Sequence, residues 1–276
     1  MAVKLDEGHA IFLGPGEGET MAEQPEKTLL LLTDHDALAL TWFRYAPRED
    51  GPERHIHKEH TDAFYVLSGE VSFRLGPDET YVVRGQAGTF VAAPAGVVHT
   101  FANESSEEAT FLNIHAPNAG FADMMRARRD GRDDDAERFD QFPAPADGGR
   151  PLSEAIVILP GEGESIPGEH RDFVVKAELG ELEVIEFTCD SEYAPVPPHV
   201  HPDKIDSFFV LEGELEFEIE GETIRSGPGS YLAALPGTRH GFRNPGPGLV
   251  RFLNVHAPSD GFIDRVRRAA NLELAD

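Results

Sequence analysis

The sequence predicts an all-β chain built from one small barrel module present twice. Three observations lead there. Long stretches of the chain recur in register. Apolar residues alternate with polar ones at the two-residue period of a half-buried strand. Glycine and proline punctuate the chain at roughly eight- to twelve-residue intervals, the spacing of a sandwich or barrel.

The repeat organises everything else. HIHKEHTDAFYVLSGE, starting at His55, is answered by HVHPDKIDSFFVLEGE, starting at His199. GTFVAAPAGVVHTFAN is answered by GSYLAALPGTRHGFRN, and FLNIHAPNAGF by FLNVHAPSDGF. Even the leading LGPGEGET has a partner in LPGEGES. A period of about 140 residues is too long for a solenoid repeat or propeller blade and fits a duplicated domain. The charged, then Pro/Ala/Gly-rich stretch RARRDGRDDDAERFDQFPAPADGGRPLSEA divides the copies, giving domains 1–145 and 146–276. The repeat breaks step only where GPDETYVVRG is longer than EGETIRS, as a hairpin loop can be.

Strands are legible in both copies. Val71, Phe73 and Leu75 alternate in the first; Leu215, Phe217 and Ile219 alternate with four glutamates in the second. Helical spacing occurs after each module, in Phe121, Met124, Met125 and Arg128, and in Phe262, Val266 and Ala269.

Composition limits the function classes. The 24 basic and 50 acidic residues leave a formal charge of −26, a surface that repels nucleic acid and anionic lipid and favours solubility. There is no apolar run of membrane-spanning length and no secretory signal pattern at the start. The one cysteine, Cys189, reads as a half-buried strand residue, and a cytoplasmic location is expected. Neither a nucleic-acid nor a membrane partner is expected; the expected partner is a small-molecule substrate. The oligomeric expectation is a monomer or homodimer. The glycines of GPGEGE and PGEGES lack the lysine and strand-to-helix setting of a phosphate loop and read as turns.

The chemistry lies in the histidines. His55 and His57 are two apart, so on a strand both imidazoles leave the same face. Asp62 follows after a turn, and His99 arrives on a later strand. His199, His201, Asp206 and His240 repeat the set in order. Three imidazoles and a carboxylate suit a divalent transition metal (Mn, Fe, Co, Ni, Zn or Cu), one per module. His60, in the turn between the ligands, is unmatched in the second copy, where Lys204 stands, and reads as solvated.

These residues resemble the cupin superfamily, whose two sequence motifs both copies carry. His55, His57, Asp62 and Gly69 keep the spacing of the first motif, with Gly51 one residue too near; His199, His201, Asp206 and Gly213 do the same. Gly88, Pro94, Gly96, His99 and Asn103 fit the second motif; Gly229, Gly237, His240 and Asn244 fit it with Leu235 in place of proline. Both copies have aspartate where the family usually has glutamate. The resemblance implies a bicupin: two jelly-roll barrels packed as a pseudo-dimer, each holding its metal inside and followed by a short helix.

Period-two geometry puts Phe64 on the face of Asp62 and Phe101 on that of His99, with Phe208 and Phe242 as their counterparts. His115, beside Asn113, and His256, beside Asn254, are expected near the metal, touching substrate or supporting the ligands. Bipartite cupins look like quercetin dioxygenases, so the leading expectation is a metal-dependent dioxygenase on an enolisable, flavonol-like aromatic molecule and O₂. Asp62 and Asp206 would then be ligands or general bases. The alternative is an O₂-independent isomerase or decarboxylase of a sugar acid or dicarboxylate, with Arg74, Arg225, Arg239 and Arg243 as candidate carboxylate grips. A non-catalytic binding cupin is the third.

Overall fold

The computed structural model describes residues 9–77, 81–132 and 136–273. The longer hairpin loop of the first copy includes residues 78–80, and the boundary stretch includes 133–135; both segments lie outside the described residues, as does the start of the chain.

Each copy builds two antiparallel sheets that close around an aromatic core. In the first, a seven-stranded sheet runs in the order Ile156–Ile158, Phe90–Ala93, Thr61–Ser68, Ala109–Ala116, Leu38–Tyr45, Lys27–His35, Glu19–Glu23. Its partner sheet runs Phe142–Pro143, His55–Ile56, His99–Ala102, Glu70–Leu75, Tyr81–Gln86. Val71, Phe73 and Leu75 are each at most 1% exposed, so the alternating residues do face inward. Phe64 from one sheet meets Phe73 and Phe101 from the other at ring-centroid distances of 5.2 and 4.8 Å.

The second copy repeats the plan. Its seven-stranded sheet runs Ala10–Leu13, Tyr231–Ala234, Ile205–Glu212, Val250–Ala257, Glu183–Cys189, Arg171–Glu178, Glu164–Gly168, and its four-stranded sheet Val196–Val200, Arg239–Arg243, Leu215–Ile219, Glu222–Ser226. Phe208 packs on Phe217 at 5.0 Å across the core. Cys189 is fully buried rather than half-buried, and burial pushes its thiol up to about 12, an unreactive packing residue. The shorter hairpin turns on Glu220 and Gly221, both at positive φ (50° and 87°), the twist a two-residue hairpin loop needs.

Two glycines of the repeated motifs have steric reasons. Gly69 adopts φ +71°, and a Cβ there would lie 2.2 Å from the carbonyl oxygen of Glu108. Gly51 passes so close to Phe101 that a Cβ would overlap its carbonyl oxygen at 1.6 Å.

Helix α1, Phe121–Arg129, and helix α2, Phe262–Glu273, follow the barrels as expected. Phe121 and Met124 are buried, the inward stripe the spacing predicted. Among the described residues no helix is long and apolar enough to cross a membrane.

The leading strands do not follow chain order. Compactness divides the chain into Gly18–Glu162 and a second unit of Met1–Glu17 with Gly163–Asp276, whereas the sequence division fell at residue 145. Ala10–Leu13 pairs with Tyr231–Ala234, with Ala10 opposite Ala234 and Leu13 opposite Tyr231. Ile156–Ile158 pairs with Phe90–Ala93. The equivalent strands of the two copies thus complete each other's sheet. Removing residues 1–17 should therefore speed amide hydrogen exchange at alternate residues of Tyr231–Ala234, while Thr61–Ser68 keeps its protection. Faster exchange in Thr61–Ser68 alone would show the leading strand to belong to the first barrel.

Candidate metal centres

The first centre is assembled by strand register. His55 stands directly opposite His99 on neighbouring antiparallel strands. Asp62 lies opposite His115 in the facing sheet. One nitrogen or oxygen from each of His55, His57, Asp62 and His99 falls within 4.8 Å of all the others, and all four residues are buried. His199, His201, Asp206 and His240 form the same group in the second barrel, with the first two half-buried.

The imidazoles are oriented by backbone carbonyls. Nδ1 of His55 faces Glu53 O at 2.8 Å, Nδ1 of His57 faces Asp140 O at 2.7 Å, and Nδ1 of His99 faces Val97 O at 2.9 Å. A carbonyl only accepts, so each Nδ1 carries the proton and each Nε2 presents a lone pair. In the second barrel His199 and His240 are held likewise, by Pro197 O and Thr238 O at 3.0 Å each.

Those lone pairs face one another. His99 Nε2 is 3.1 Å and His57 Nε2 3.6 Å from Asp62 Oδ2. Nε2 of His57 is buried with no hydrogen-bond partner among the described residues. In the second barrel His199 and His201 bring their Nε2 atoms within 3.1 Å, and Asp206 Oδ2 lies 3.2 Å from His240 and 3.4 Å from His201. Acceptors aimed at acceptors in a dry site call for a cation between them. Ligands bonded at about 2.0–2.2 Å to one ion sit roughly 3–3.5 Å apart, close to the 3.1–3.6 Å separations above. The donor set therefore fits a divalent transition metal in each domain. The shorter aspartate side chains still place an oxygen among the histidine nitrogens in both domains.

Electrostatics agrees. Burial, with the neighbouring His99 and His57, pushes His55 down to about 2, so its ring is neutral and able to ligate. Burial alone would raise Asp62; the neighbouring His115, His57 and His99 outweigh it and hold the carboxyl well below the usual range. Asp206 is held low in the same way, by His256, His201 and His240.

The other oxygen of each aspartate is also engaged. Asn113 Nδ2 donates to Asp62 Oδ1, and Asn254 Nδ2 to Asp206 Oδ1 at 2.6 Å. His115 Nε2 lies 2.9 Å from Asn113 Oδ1 and 3.7 Å from Asp62 Oδ1, and His256 Nε2 lies 3.2 Å from Asp206 Oδ1. The pairs Asn113/His115 and Asn254/His256 thus support the ligands.

Sequence reasoning misplaced several residues. His60 is not solvated: it is 2% exposed and bonded to His115 and Asp140. Phe64 and Phe208 pack into the aromatic core, while Phe101 and Phe242 line the cavities beside the histidines. The four arginines proposed as carboxylate grips are spent on glutamates: Arg74 on Glu104, Arg225 and Arg243 on Glu216, Arg239 on Glu218. Asp140 went unnoticed because it lies in the stretch read as a linker.

Each cluster forms the floor of a cavity. The first, about 520 Å³, is walled by Phe43, Tyr45, Phe101, Phe121 and Met124 and has Arg128 and Arg129 of α1 in its lining. The second, about 300 Å³, is walled by Phe173, Phe187, Phe242, Phe252 and Phe262, with Arg171 and Arg265.

Solved structures resemble the chain over most of its length. Protein Ylba from E. coli superposes with a TM-score of 0.66 at 11% identity, covering 91% of each chain. Oxalate decarboxylase from Lactobacillus farciminis gives 0.62 at 13% identity over 90% of this chain and 86% of that one. AerE from Microcystis aeruginosa gives 0.61 at 18% identity over 90% and 99%. No curated protein sequence matches the chain. The sequence pattern of the Cupin domain family matches residues 41–115 and again 190–256, once over each histidine–aspartate cluster. The chain belongs to the cupin family and is a bicupin, with two cupin domains and a candidate metal centre in each.

Proposed function

We propose that the chain is a metal-dependent enzyme acting on a carboxylate-bearing small molecule without consuming O₂, in the decarboxylase or isomerase class. The carrying observation is that each cavity joins a three-histidine, one-aspartate floor to an arginine side chain, Arg128 in the first and Arg171 in the second, while Arg129 and Arg265 in the same linings are paired with Glu19 and Asp130 and with Asp260. Guanidinium groups are the matched partners of carboxylates. The likeness of fold to an oxalate decarboxylase supports the same class. A cavity of about 520 Å³ with aromatic and methionine walls fits a substrate with an apolar body, bulkier than a two-carbon diacid or a bare sugar acid.

A bound divalent ion supplies Lewis acidity and a template for the substrate oxygens. His55, His57, Asp62 and His99, with their second-barrel counterparts, would hold it. Asp62 and Asp206 have both oxygens engaged within the cluster and a depressed pKa, which favours ligand over general base. Arg128 and Arg171 bind the substrate carboxylate, and the aromatic walls exclude water from the reacting end. The four aromatic rings of the first cavity favour one second reading, a dioxygenase acting on an aromatic ring.

Three outcomes are expected. Elemental analysis of the purified chain gives one divalent transition metal per domain, and His57→Ala halves the metal content while the second barrel stays loaded. Turnover of an aryl- or alkyl-substituted carboxylate, followed by NMR, continues in an anaerobic chamber; strict dependence on O₂, read by an oxygen electrode, would transfer the assignment to the dioxygenase. Arg128→Gln raises KM for the carboxylate about 10- to 100-fold, the loss of one charge-assisted hydrogen bond, with a smaller change in kcat.

A further inference from the structure

Behind each aspartate lies a buried chain of polar groups that the metal reading does not use. In the first barrel Asp140 Oδ2 lies 2.7 Å from His60 Nδ1, and His60 Nε2 lies 2.9 Å from His115 Nδ1. His115 Nε2 then lies 2.9 Å from Asn113 Oδ1. The Asn113 amide orientation is fixed, because its Nδ2 donates to Asp62 Oδ1 and to Ala63 O. Asp140 and Asn113 Oδ1 are acceptors at the two ends. Asn113 Oδ1 accepts, so His115 directs its Nε2–H toward Asn113 and leaves Nδ1 to accept from His60 Nε2.

The second barrel reaches the same arrangement with different residues. Lys204, at the position of His60, is 2% exposed. Its Nζ lies 3.2 Å from His256 Nδ1 and 3.0 Å from Asp260 Oδ1. An ammonium only donates, so His256 Nδ1 accepts and Nε2–H points at Asp206 Oδ1, 3.2 Å away. Glu183 Oε2 also faces that Nδ1, but at 3.5 Å, the longer contact.

We infer that His60 and Lys204 are equivalent positioning residues: each is a buried donor to the inner nitrogen of the histidine beside it, turning that histidine's other N–H toward the carboxylate end of the metal cluster. Asp140 anchors the first donor and Asp260 the second. Asp140 does more, since its carboxylate also accepts from the backbone N–H of Lys58 (2.9 Å) and Glu59 (2.8 Å) and its carbonyl receives His57 Nδ1–H. It adopts φ 57°, a left-handed conformation that aspartate tolerates. Asp140 thus holds the whole turn between ligands His57 and Asp62.

The inference rests on the clusters being metal sites, so the first measurement avoids metal. In the metal-free wild-type chain, ring ¹⁵N shifts should report both His115 and His256 as Nε2-protonated rings; an Nδ1-protonated, Nε2-bare ring at either position would overturn the assignment for that barrel. The second measurement titrates Mn(II) into the intact chain, with the electron paramagnetic resonance spectrum distinguishing the two sites. His60→Leu should weaken the first site about 10- to 100-fold, the usual range for groups that orient metal ligands, and leave the second unchanged. Lys204→Met should do the reverse. His60→Lys should restore Mn(II) affinity and spectrum at the first site. Failure of His60→Lys to outperform His60→Leu, with both variants folded by circular dichroism, would refute the equivalence. Wild-type protein that binds no Mn(II), Fe(II), Co(II), Ni(II) or Zn(II) would instead remove the metal reading while the histidine ring states still decide the hydrogen-bond chain.

Discussion

Antiparallel register is the constraint on which both centres depend. His55 and His99 share a cluster because their backbones sit directly opposite, and Asp62 reaches it because it is paired with His115 on one side and Ala93 on the other. A slip of one residue would turn every side chain of a strand to its other face, sending histidines into solvent and apolar residues out of the core. The aromatic core therefore enforces the site. Phe64, Phe73 and Phe101 are each at most 5% exposed and lock the two sheets of the first barrel in one register. The same residues that supply hydrophobic stabilisation set the geometry of the polar cluster above them.

That cluster is unfavourable without its cation. Three imidazoles and a carboxylate lose their hydration on burial and recover only part of it from each other, since the lone pairs face inward. The backbone carbonyls at Nδ1 remove the alternative in which a ring turns its N–H toward the aspartate. The fold thus stores an arrangement of acceptors that a divalent ion completes, and metal binding would add to folding stability. The acidic surface is a separate matter of solubility, for the cavities themselves carry arginine.

Much of this was legible in the sequence. The repeat, the two-residue spacing of His55 and His57, and the alternation in Glu70–Leu75 each follow from local periodicity, and each is realised. What escaped was non-local. Asp140 meets His57 across 83 residues of chain, from a stretch whose composition reads as linker. The leading strands exchange between sheets because pairing partners carry no local signature. The cavity arginines sit on helix faces and strands whose direction toward the cavity depends on tertiary packing, so the candidates chosen from sequence were surface residues bound to glutamates. His60 and Lys204 share no side-chain chemistry visible in the sequence beyond the ability to donate a hydrogen bond, and that donor geometry is what the site retains.

The contrast between inner and outer residues has a physical basis. A metal–ligand bond tolerates only a few tenths of an ångström, and the two barrels carry the same four inner residues. A hydrogen bond to an imidazole is looser: an imidazole N–H at 2.9 Å and an ammonium at 3.2 Å both serve. The carboxylate that anchors the donor can then come from wherever the chain passes, from the segment after α1 in the first barrel and from just before α2 in the second. Duplicated sites diverge first where the tolerance is widest. The cavity walls follow the same logic, since apolar residues of many shapes exclude water equally well. One cavity can therefore be nearly twice the volume of the other above identical metal-binding floors.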